Sequence, residues 1–387
     1  MKKENNKKKI IIFSGYFYPH IGGIERYVDK LSLDLEKLGF DIVIVTSNET
    51  NLPNIEQKDK YKIYRLPIRN LFRSRYPIPI KNKEYKYLIK QIEKEKGDYF
   101  IVNTRFHLTS LIGLKLSKKL NVPSLLIEHG SNHFTVNNKI LDFFGEIYEH
   151  MLTRRVKKYA NNFYGVSERC NNWLKHFSIE ASGVFYNSID DYAYDSFKNK
   201  KYSRDFKDKT VITFLGRIIR EKGIVMLLDA FKELSKKYKN IVLVIGGDGP
   251  ILEQLKKEYN LDNVYFEGRL VYDEVMALFN VTDIFVHPSM FPEGLPSVIL
   301  EAGLMKSAVV ATDRGGTIEV INDDKYGLIC EENTESLKEK LEILLKNPKM
   351  VNDLKNNIHD RVKNNFTWEV TAKVVKKELE EIDNEKR

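Results

Sequence analysis

The chain has few of the features that mark several classes of protein. It contains two cysteines, Cys170 and Cys330, in 387 residues, and their wide separation implies neither a disulfide framework nor a zinc site. No apolar run approaches the roughly 20 residues that a membrane-spanning helix needs. The basic start is followed by an apolar run that is too short for a signal peptide and lacks a small-residue cleavage site. We therefore expect a cytoplasmic protein whose first β-strand follows the basic start.

Several nucleotide and nucleic-acid motifs are also missing. The segment after the first apolar run, "GYFYPHIGG", does not supply the Gly-x-Gly-x-x-Gly pattern of a dinucleotide-binding oxidoreductase. No zinc-finger or RNP stretch is present, so a nucleic-acid partner is not expected. No Asp-x-Asp sequence occurs anywhere in the chain.

The charge is unevenly distributed along the chain. The net charge is +9, but residues 1–200 carry 34 basic and 22 acidic residues, whereas residues 201–387 carry 29 and 32. The densest part is 58–96, with 13 basic and 4 acidic residues. This segment is either an ordinary solvated surface or a surface that docks on an anionic membrane.

Short β-rich runs alternate with helical patterns along the whole chain. Apolar runs bounded by Gly, Asn and Pro, such as "KIIIFSG" and "DIVIVTS", are separated by amphipathic helices. The pattern restarts after the polar, aromatic stretch 187–209. This order predicts an α/β protein with two doubly wound parallel sheets, whose ligands bind at the carboxyl ends of the strands.

Two strand-to-helix junctions carry residues suited to phosphate. Gly22 and Gly23 lie between the first strand and its helix, where glycine permits close approach of a ligand, although such pairs are often only turns. In the second half, Arg217 follows a strand and Lys222 stands five residues on. Arginine binds a diphosphate through its planar fork and lysine as a point charge, although surface charge around a turn is the simpler reading.

The stretch "FPEGLPSVILEA" predicts a third binding junction. A helix beginning after Pro296 leaves the first N–H groups, those of Ser297 and Val298, without intrahelical acceptors at its positive end. Glu293 precedes this helix, and Glu301 lies inside it on a nearly apolar sequence. An ionised carboxylate accepts hydrogen bonds from sugar hydroxyls, so both glutamates can flank a ligand whose phosphate caps the helix.

These motifs resemble those of the family-4 glycosyltransferases, which have the GT-B fold. The resemblance spans nearly the whole chain and rests on these stretches in this order: "GGIE", "EHG", "GVSE", "NSID", "LGRIIREKG", "GGDGP", "FEGRL", "HPSMFPEGLPSVILEA" and "ATDRGGTIEVI". It implies two Rossmann-like domains facing a central cleft. The expected boundaries are 1–190 for an acceptor-side domain and 191–365 for a donor domain, with a C-terminal helix at about 366–387 packing back on the first.

The resemblance also implies a role for each candidate residue. Glu293 is expected to hold donor-sugar hydroxyls, with Gly294 and Leu295 beside it, and Glu301 to hold the ribose. Arg217 and Lys222 are expected to bind the diphosphate, aided by the amides of Ser297 and Val298 and by the Gly22–Gly23 loop. His129, in "EHG", is expected beside the reacting sugar, and Gly268 and Arg269 near the base.

The sequence departs from the family pattern at two places. "NSID" replaces the usual "NGVD" at 187–190, and Gly294-Leu295-Pro296 replaces the usual glycine-aromatic-glycine. The second difference leaves the identity of the donor sugar open. Fixed cations in place of an Asp-x-Asp motif predict that neither a metal nor any other cofactor is needed.

The resemblance implies transfer of a sugar, with retention of configuration, from a nucleotide diphosphate sugar, most commonly a UDP-sugar, to a glycan or lipid-linked acceptor. The basic first half suggests an acceptor in cell-surface polysaccharide or glycolipid synthesis and a peripheral position at the inner face of the membrane. The alternatives are a Rossmann-type oxidoreductase and a non-catalytic basic protein that binds nucleotide or membrane. The second leaves the glutamate pair and the Arg–Lys motif unexplained.

Overall fold

The computed structural model describes residues 7–20, 22–71, 76–136, 138–291 and 294–385. The chain divides into two compact units. The first comprises Met1–Asn187 and Trp368–Arg387, and the second comprises Ser188–Thr367.

The first unit alternates strands with helices. Its strands are β1 (Lys9–Phe13), β2 (Asp41–Asn48), β3 (Ile55–Gln57), β4 (Tyr61–Leu71), β5 (Tyr76–Pro79), β6 (Tyr99–Asn103), β7 (Ser124–Glu128), β8 (Asn162–Gly165) and β9 (Gly183–Val184). Its helices are α1 (Gly23–Lys37), α2 (Lys83–Lys94), α3 (Leu108–Leu120), α4 (Lys139–Val156), α5 (Glu168–Lys175) and, from the C-terminal segment, α14 (Trp368–Glu385).

The sheet of this unit has the order β3-β4-β2-β1-β6-β7-β8-β9, with β5 paired to β4. The central pairs are parallel, as the alternation of strands and helices predicts. Because successive side chains of a strand point to opposite faces, Ile10 and Ile12 pack into one core layer while Ile11 and Phe13 pack into the other. Trp368 of α14 closes the first layer, with its ring 5.1 Å from that of Tyr27.

The basic segment 58–96 contains strands that the sequence pattern did not reveal. β4 pairs with β2 in parallel and with β3 and β5 in antiparallel. Its sequence, "YKIYRLPIRNL", mixes charged with apolar residues, and only the short strands β3 and β5 lie beyond it at this end of the sheet. A strand near an edge is solvated on more sides than a central one, so its composition resembles that of a loop.

The second unit repeats the architecture. Its strands are β10 (Thr210–Leu215), β11 (Ile241–Gly246), β12 (Val264–Gly268), β13 (Ile284–His287), β14 (Ala308–Thr312) and β15 (Leu328–Cys330). Its helices are α6 (Ala193–Phe197), α7 (Ile224–Lys237), α8 (Leu252–Glu258), α9 (Tyr272–Val281), α10 (Ser297–Leu304), α11 (Thr317–Val320), α12 (Thr334–Lys346) and α13 (Pro348–Asn365), with a 3-10 turn at Arg220–Lys222.

The sheet of the second unit is parallel in every pair, with the order β12-β11-β10-β13-β14-β15. Its first strand, β10, lies in the middle, so the chain winds outward in both directions from that point. A crevice forms at the carboxyl ends of such strands, on the side where the winding reverses. The fold therefore places the ends of β10, β11 and β13 around one site.

No helix among the described residues is long and apolar enough to cross a membrane.

Candidate active site

A cavity of about 590 Å³ lies at the carboxyl ends of the strands in the second unit. It collects residues that follow four different strands. The predicted residues that line it are Arg217, Lys222, Arg269, Ser297, Val298 and Glu301. Residues from positions 217 to 301 are thus brought to one place by the topology of the parallel sheet.

Two of the predicted cations stand at the end of the central strand. Arg217 is exposed two residues after β10, and Lys222 ends the 3-10 turn that follows. The ammonium nitrogen of Lys222 lies 5.3 Å from the centre of the Phe291 ring. Both positive charges therefore face a cavity large enough for a nucleotide, an arrangement that suits a diphosphate.

Helix α10 contributes its positive end to the same cavity. It begins at Ser297 after Pro296, as the sequence predicts, and Ser297 and Val298 line the cavity with their half-exposed first turn. An anion at this position is favoured both by the N–H groups that have no intrahelical acceptor and by the helix dipole. Arg217, Lys222 and the N-terminus of α10 therefore each contribute positive potential to the same cavity.

Glu301 lies in the second turn of α10, is buried, and lines the cavity. Its carboxylate is the one predicted hydroxyl acceptor that the described part of the cavity contains. Glu293 lies outside the described residues. Gly294, next to it, is exposed, whereas Leu295 is buried and packs toward Gly316.

The loop after β12 supplies the far wall. Gly268 ends the strand with a φ of +67°, a backbone conformation that residues other than glycine rarely adopt. The next residue, Arg269, lines the cavity. Gly268 itself is not part of the lining. The backbone turn at Gly268 therefore brings Arg269 into the cavity, and its expected position near the base stays a prediction.

Sequence reasoning missed several residues of this cavity. Gly247 and Asp248, in "GGDGP", follow β11, and His287 ends β13. At Gly247 a Cβ atom would stand 1.8 Å from the carbonyl oxygen of Gly216, and φ is +138°. Only glycine permits the loops after β10 and β11 to touch here, so the glycine-rich motif could have signalled a close loop contact.

A second cavity, of about 550 Å³, lies at the carboxyl ends of β1, β6 and β7 in the first unit. His129 lines it directly after β7. Nε2 of His129 lies 2.9 Å from Oδ1 of Asn103, whose Nδ2 donates to the carbonyl oxygen of Phe13. Since Asn103 accepts through Oδ1, the proton of the neutral imidazole is on Nε2 and Nδ1 is an acceptor.

Burial keeps two histidines of this cavity, His129 and His107, neutral. Desolvation, with a smaller contribution from His107, lowers the pKa of His129 to about 3. Burial alone lowers the pKa of His107 to about 4. At neutral pH neither imidazole carries a charge, so His129 is present as a neutral hydrogen-bonding group.

A buried ionic network holds the wall beside His129. Glu128 accepts hydrogen bonds from the N–H groups of His129 and Gly130 at 3.1 and 2.9 Å. Nη1 of Arg105 lies 2.6 Å from Glu149, and its Nε lies 3.4 Å from Glu128. All three charged side chains are nearly inaccessible, so the network fixes the β6 and β7 loops as one unit.

The predicted Gly22–Gly23 junction stands at the edge of this cavity. Gly22 is the N-cap of α1, and Gly23 begins the helix without lining the cavity. The next two residues, Ile24 and Glu25, do line it. Glu25 is buried, and desolvation raises its pKa. The "GGIE" motif therefore brings a carboxyl to the cavity, a residue that the sequence did not single out.

Comparisons with known proteins agree with this arrangement. A family model described as "Glycosyltransferase Family 4" matches residues 21–192, and one described as "Glycosyl transferases group 1" matches residues 195–361. Together they account for both units.

Two curated relatives cover almost the whole chain. An uncharacterized glycosyltransferase of Methanocaldococcus jannaschii is 28% identical over 98% of this chain and 100% of its own length. The alpha-monoglucosyldiacylglycerol synthase of Acholeplasma laidlawii is 27% identical over 94% of this chain and 95% of its own length.

Among solved structures, the Anabaena protein Alr3699/HepE in complex with UDP superposes with a TM-score of 0.70. It is 16% identical, and the match covers 97% of this chain and all of that one. At this identity the likeness establishes the fold alone.

Proposed function

Because the chain belongs to glycosyltransferase family 4 and has the GT-B fold, we propose that it transfers a sugar from a UDP-sugar to a lipid-linked glycan or glycolipid acceptor with retention of anomeric configuration. One observation carries the proposal. Arg217, Lys222 and the first turn of α10 converge with Glu301 on one cavity. Cations suit the diphosphate and the carboxylate suits the ribose hydroxyls.

The donor cavity supplies electrostatic stabilisation of the leaving group. When the bond between the sugar and the diphosphate breaks, negative charge grows on the phosphate oxygens. Arg217, Lys222 and the N–H groups of Ser297 and Val298 are held in place by the fold before reaction, so they need little reorganisation to receive that charge. These fixed positive groups take the place of a divalent ion.

Retention follows in this proposal from attack on the face that the leaving group vacates. The departing phosphate oxygen then takes the proton of the attacking hydroxyl, so no separate enzymic base is required. Glu293 holds the donor sugar, and Glu301 holds the ribose throughout. The mechanism therefore differs from that of glycosidases, in which two carboxylates flank the bond as acid and as base or nucleophile.

The cavity of the first unit is assigned to the acceptor side. Neutral His129 offers Nδ1 as an acceptor for a sugar hydroxyl, and Glu25 adds a carboxyl nearby. The Gly22–Gly23 turn starts α1 beside this cavity, and its expected contribution to diphosphate binding stays a prediction. The polar lining suits hydroxyl-rich ligands.

A lipid-linked acceptor is supported by the surface of α4. This helix exposes an apolar face made of Ile140, Leu141, Phe143, Phe144, Ile147 and Met151, with Phe143 and Phe144 59% and 62% accessible. Lys139, Arg154 and Arg155 are exposed at its two ends. An apolar face bounded by cations is the pattern of a helix that lies in a membrane interface.

The basic segment 58–96 contacts α4 through β5. Tyr76 of β5 hydrogen bonds through its hydroxyl to that of Tyr148 in α4, at 3.0 Å. Arg69, Lys81 and Lys83, which flank β5, are exposed, while Arg73 and Arg75 lie outside the described residues. The Acholeplasma relative is named for a glucosylated diacylglycerol, which is a glycolipid. We therefore assign the chain to the inner face of a membrane, in synthesis of a surface polysaccharide or glycolipid.

The deciding experiment measures release of nucleoside diphosphate from a panel of UDP- and GDP-sugars, with and without lipid-linked acceptors. The proposal expects one donor to be turned over and the product to keep the anomeric configuration of the donor. Release of no nucleoside diphosphate from any donor would favour a non-catalytic binding protein. An inverted product would overturn the retaining mechanism while keeping the transferase.

A further inference from the structure

Three histidines from separate segments meet on the first unit. His133 lies between β7 and α4, His150 lies in α4, and His176 follows α5. One side-chain nitrogen from each lies within 4.8 Å of the other two. His133 and His150 are half-buried and His176 is exposed. A small ion can therefore reach the cluster from solvent.

The spacing of these nitrogens suits a tetrahedral metal. Nε2 of His150 and Nε2 of His176 are 3.3 Å apart. Two nitrogens bound to one zinc ion at its usual bond length and tetrahedral angle stand about 3.3 Å apart. The nitrogen of His133 lies within 4.8 Å of the other two, and a closer approach of this side chain completes the set. Three imidazoles leave a fourth position for water, as in zinc sites that stay open.

The surroundings already orient the ligands. Nδ1 of His133 lies 2.9 Å from Oε2 of Glu149, which leaves Nε2 as the nitrogen for a metal. A carboxylate that accepts from the other ring nitrogen fixes the tautomer and raises the basicity of a ligating histidine. The Trp173 ring stacks on His176 at 4.8 Å with an interplanar angle of 4°. Glu149 is itself held by Arg105.

We propose that His133, His150 and His176 form a zinc site that neither the reaction nor the nucleotide requires. Bound zinc joins the loop after β7 to α4 and α5. Because Asn132 and Phe134 flank His133 and line the acceptor-side cavity, the metal stiffens the wall of that cavity. The alternative that the test must separate from metal binding is packing of the three rings against Trp173 and Phe177, with a hydrogen bond between His150 and His176.

The test uses the full-length chain without a histidine tag, stripped of metal and titrated with zinc chloride against a chromophoric chelator. One zinc ion should bind per chain and raise the melting temperature by several degrees at about 100-fold excess over the dissociation constant. Magnesium should do neither. Cobalt in place of zinc should show the visible absorption of a four-coordinate site.

Variants decide which residues bind the ion. His176→Gln, at an exposed position, and His150→Gln should each weaken zinc binding by at least about 10-fold, and Glu149→Gln by about 10- to 100-fold through the orientation of His133. His20→Gln, a histidine outside the cluster, should bind zinc as the wild type does. Failure to bind one equivalent of zinc, or unchanged binding in both His150→Gln and His176→Gln, overturns the proposal. UDP binding, measured in parallel, reports separately on the transferase assignment.

Discussion

Nε2 of His129 and Oδ1 of Asn103 form a hydrogen bond of 2.9 Å at the rim of the first-unit cavity. Nδ2 of the same Asn103 side chain donates a hydrogen bond to the carbonyl oxygen of Phe13. This short chain of contacts ties the orientation of His129 to β1 and β6, the two strands at the centre of the sheet. A neutral ring is therefore held with its acceptor nitrogen available for a ligand.

The first prediction is that His129 stays unprotonated between about pH 8 and about pH 5. Its folded-state pKa of about 3 lies below the unfolded value of about 6.5, so folding favours the neutral ring. The contribution of His129 to the free energy of unfolding is complete above about pH 6.5 and is lost as the pH falls toward 3. Ring signals of His129 in NMR spectra should stay constant from about pH 8 to about pH 5.

The matched comparison is His129→Gln, whose melting temperature should fall less steeply below pH 6.5 than that of the wild type. The denatured wild-type protein provides a reference for the unperturbed titration. An inflection of the His129 signals near pH 6.5 in the folded protein would contradict the neutral assignment.

The second prediction concerns the phosphate contacts. Arg217→Ala and Lys222→Ala should each weaken UDP binding by about 2 kcal/mol, because each removes a charge-assisted contact. Arg220→Ala is the control, since Arg220 belongs to the same 3-10 turn as Lys222 but does not line the cavity. Calorimetry with UDP measures the affinities. Wild-type affinity in both cavity variants would remove the phosphate assignment.

The third prediction separates the two glutamates. Glu301→Gln should weaken binding of free UDP and raise the donor KM with a smaller effect on kcat, because the ribose barely changes during reaction. Glu293→Gln should bind free UDP nearly normally but lower kcat by about 100-fold, because it positions the reacting sugar. UDP calorimetry and donor kinetics measure both. A loss of UDP affinity in Glu293→Gln alone would reverse the two roles.

The fourth prediction is that the transferase needs no divalent ion at the diphosphate. Turnover should survive excess EDTA and should not rise when magnesium or manganese is added, because fixed cations surround the phosphates. Because the proposed zinc site is not required for the reaction, chelation should lower the melting temperature while turnover measured well below that temperature stays unchanged. Loss of turnover that magnesium or manganese restores would show that a metal assists the leaving group.

The fifth prediction concerns the membrane. Phe143→Ser with Phe144→Ser should reduce sedimentation with anionic liposomes by removing apolar area from the exposed face of α4. Lys81→Gln with Lys83→Gln should weaken binding by about 1 kcal/mol for each charge, and only at low salt. Lys236→Gln, an exposed cation at the end of α7 in the other unit, is the control. Equal binding of the wild type to neutral and anionic vesicles, or binding to neither, would contradict a role for these residues in binding an anionic membrane.

Much of the donor site could be predicted because its signals are local. Arg217 follows an apolar strand, and Pro296 precedes a helix whose second turn holds Glu301, so both relations can be seen within about ten residues of sequence. Parallel strands bring their carboxyl ends to one edge, which allowed separate junctions to be assigned to one site. His287 and Asp248 were missed because a single polar residue after a strand has no distinctive pattern.

The sequence by itself determined the alternation of strands and helices, the two α/β units and the junctions that line the cavity of the second unit, because backbone geometry and hydrophobic period are set by near neighbours. Only the tertiary structure decided that Glu149 joins Arg105 to His133, and that His133, His150 and His176 share one space. Those contacts depend on how α4 and α5 pack beside β7. Contacts between residues so far apart in the chain produce no periodic pattern in the sequence. The strand β4 was likewise decided by its pairing with β2, since its own mixed composition does not show the pattern of a buried strand.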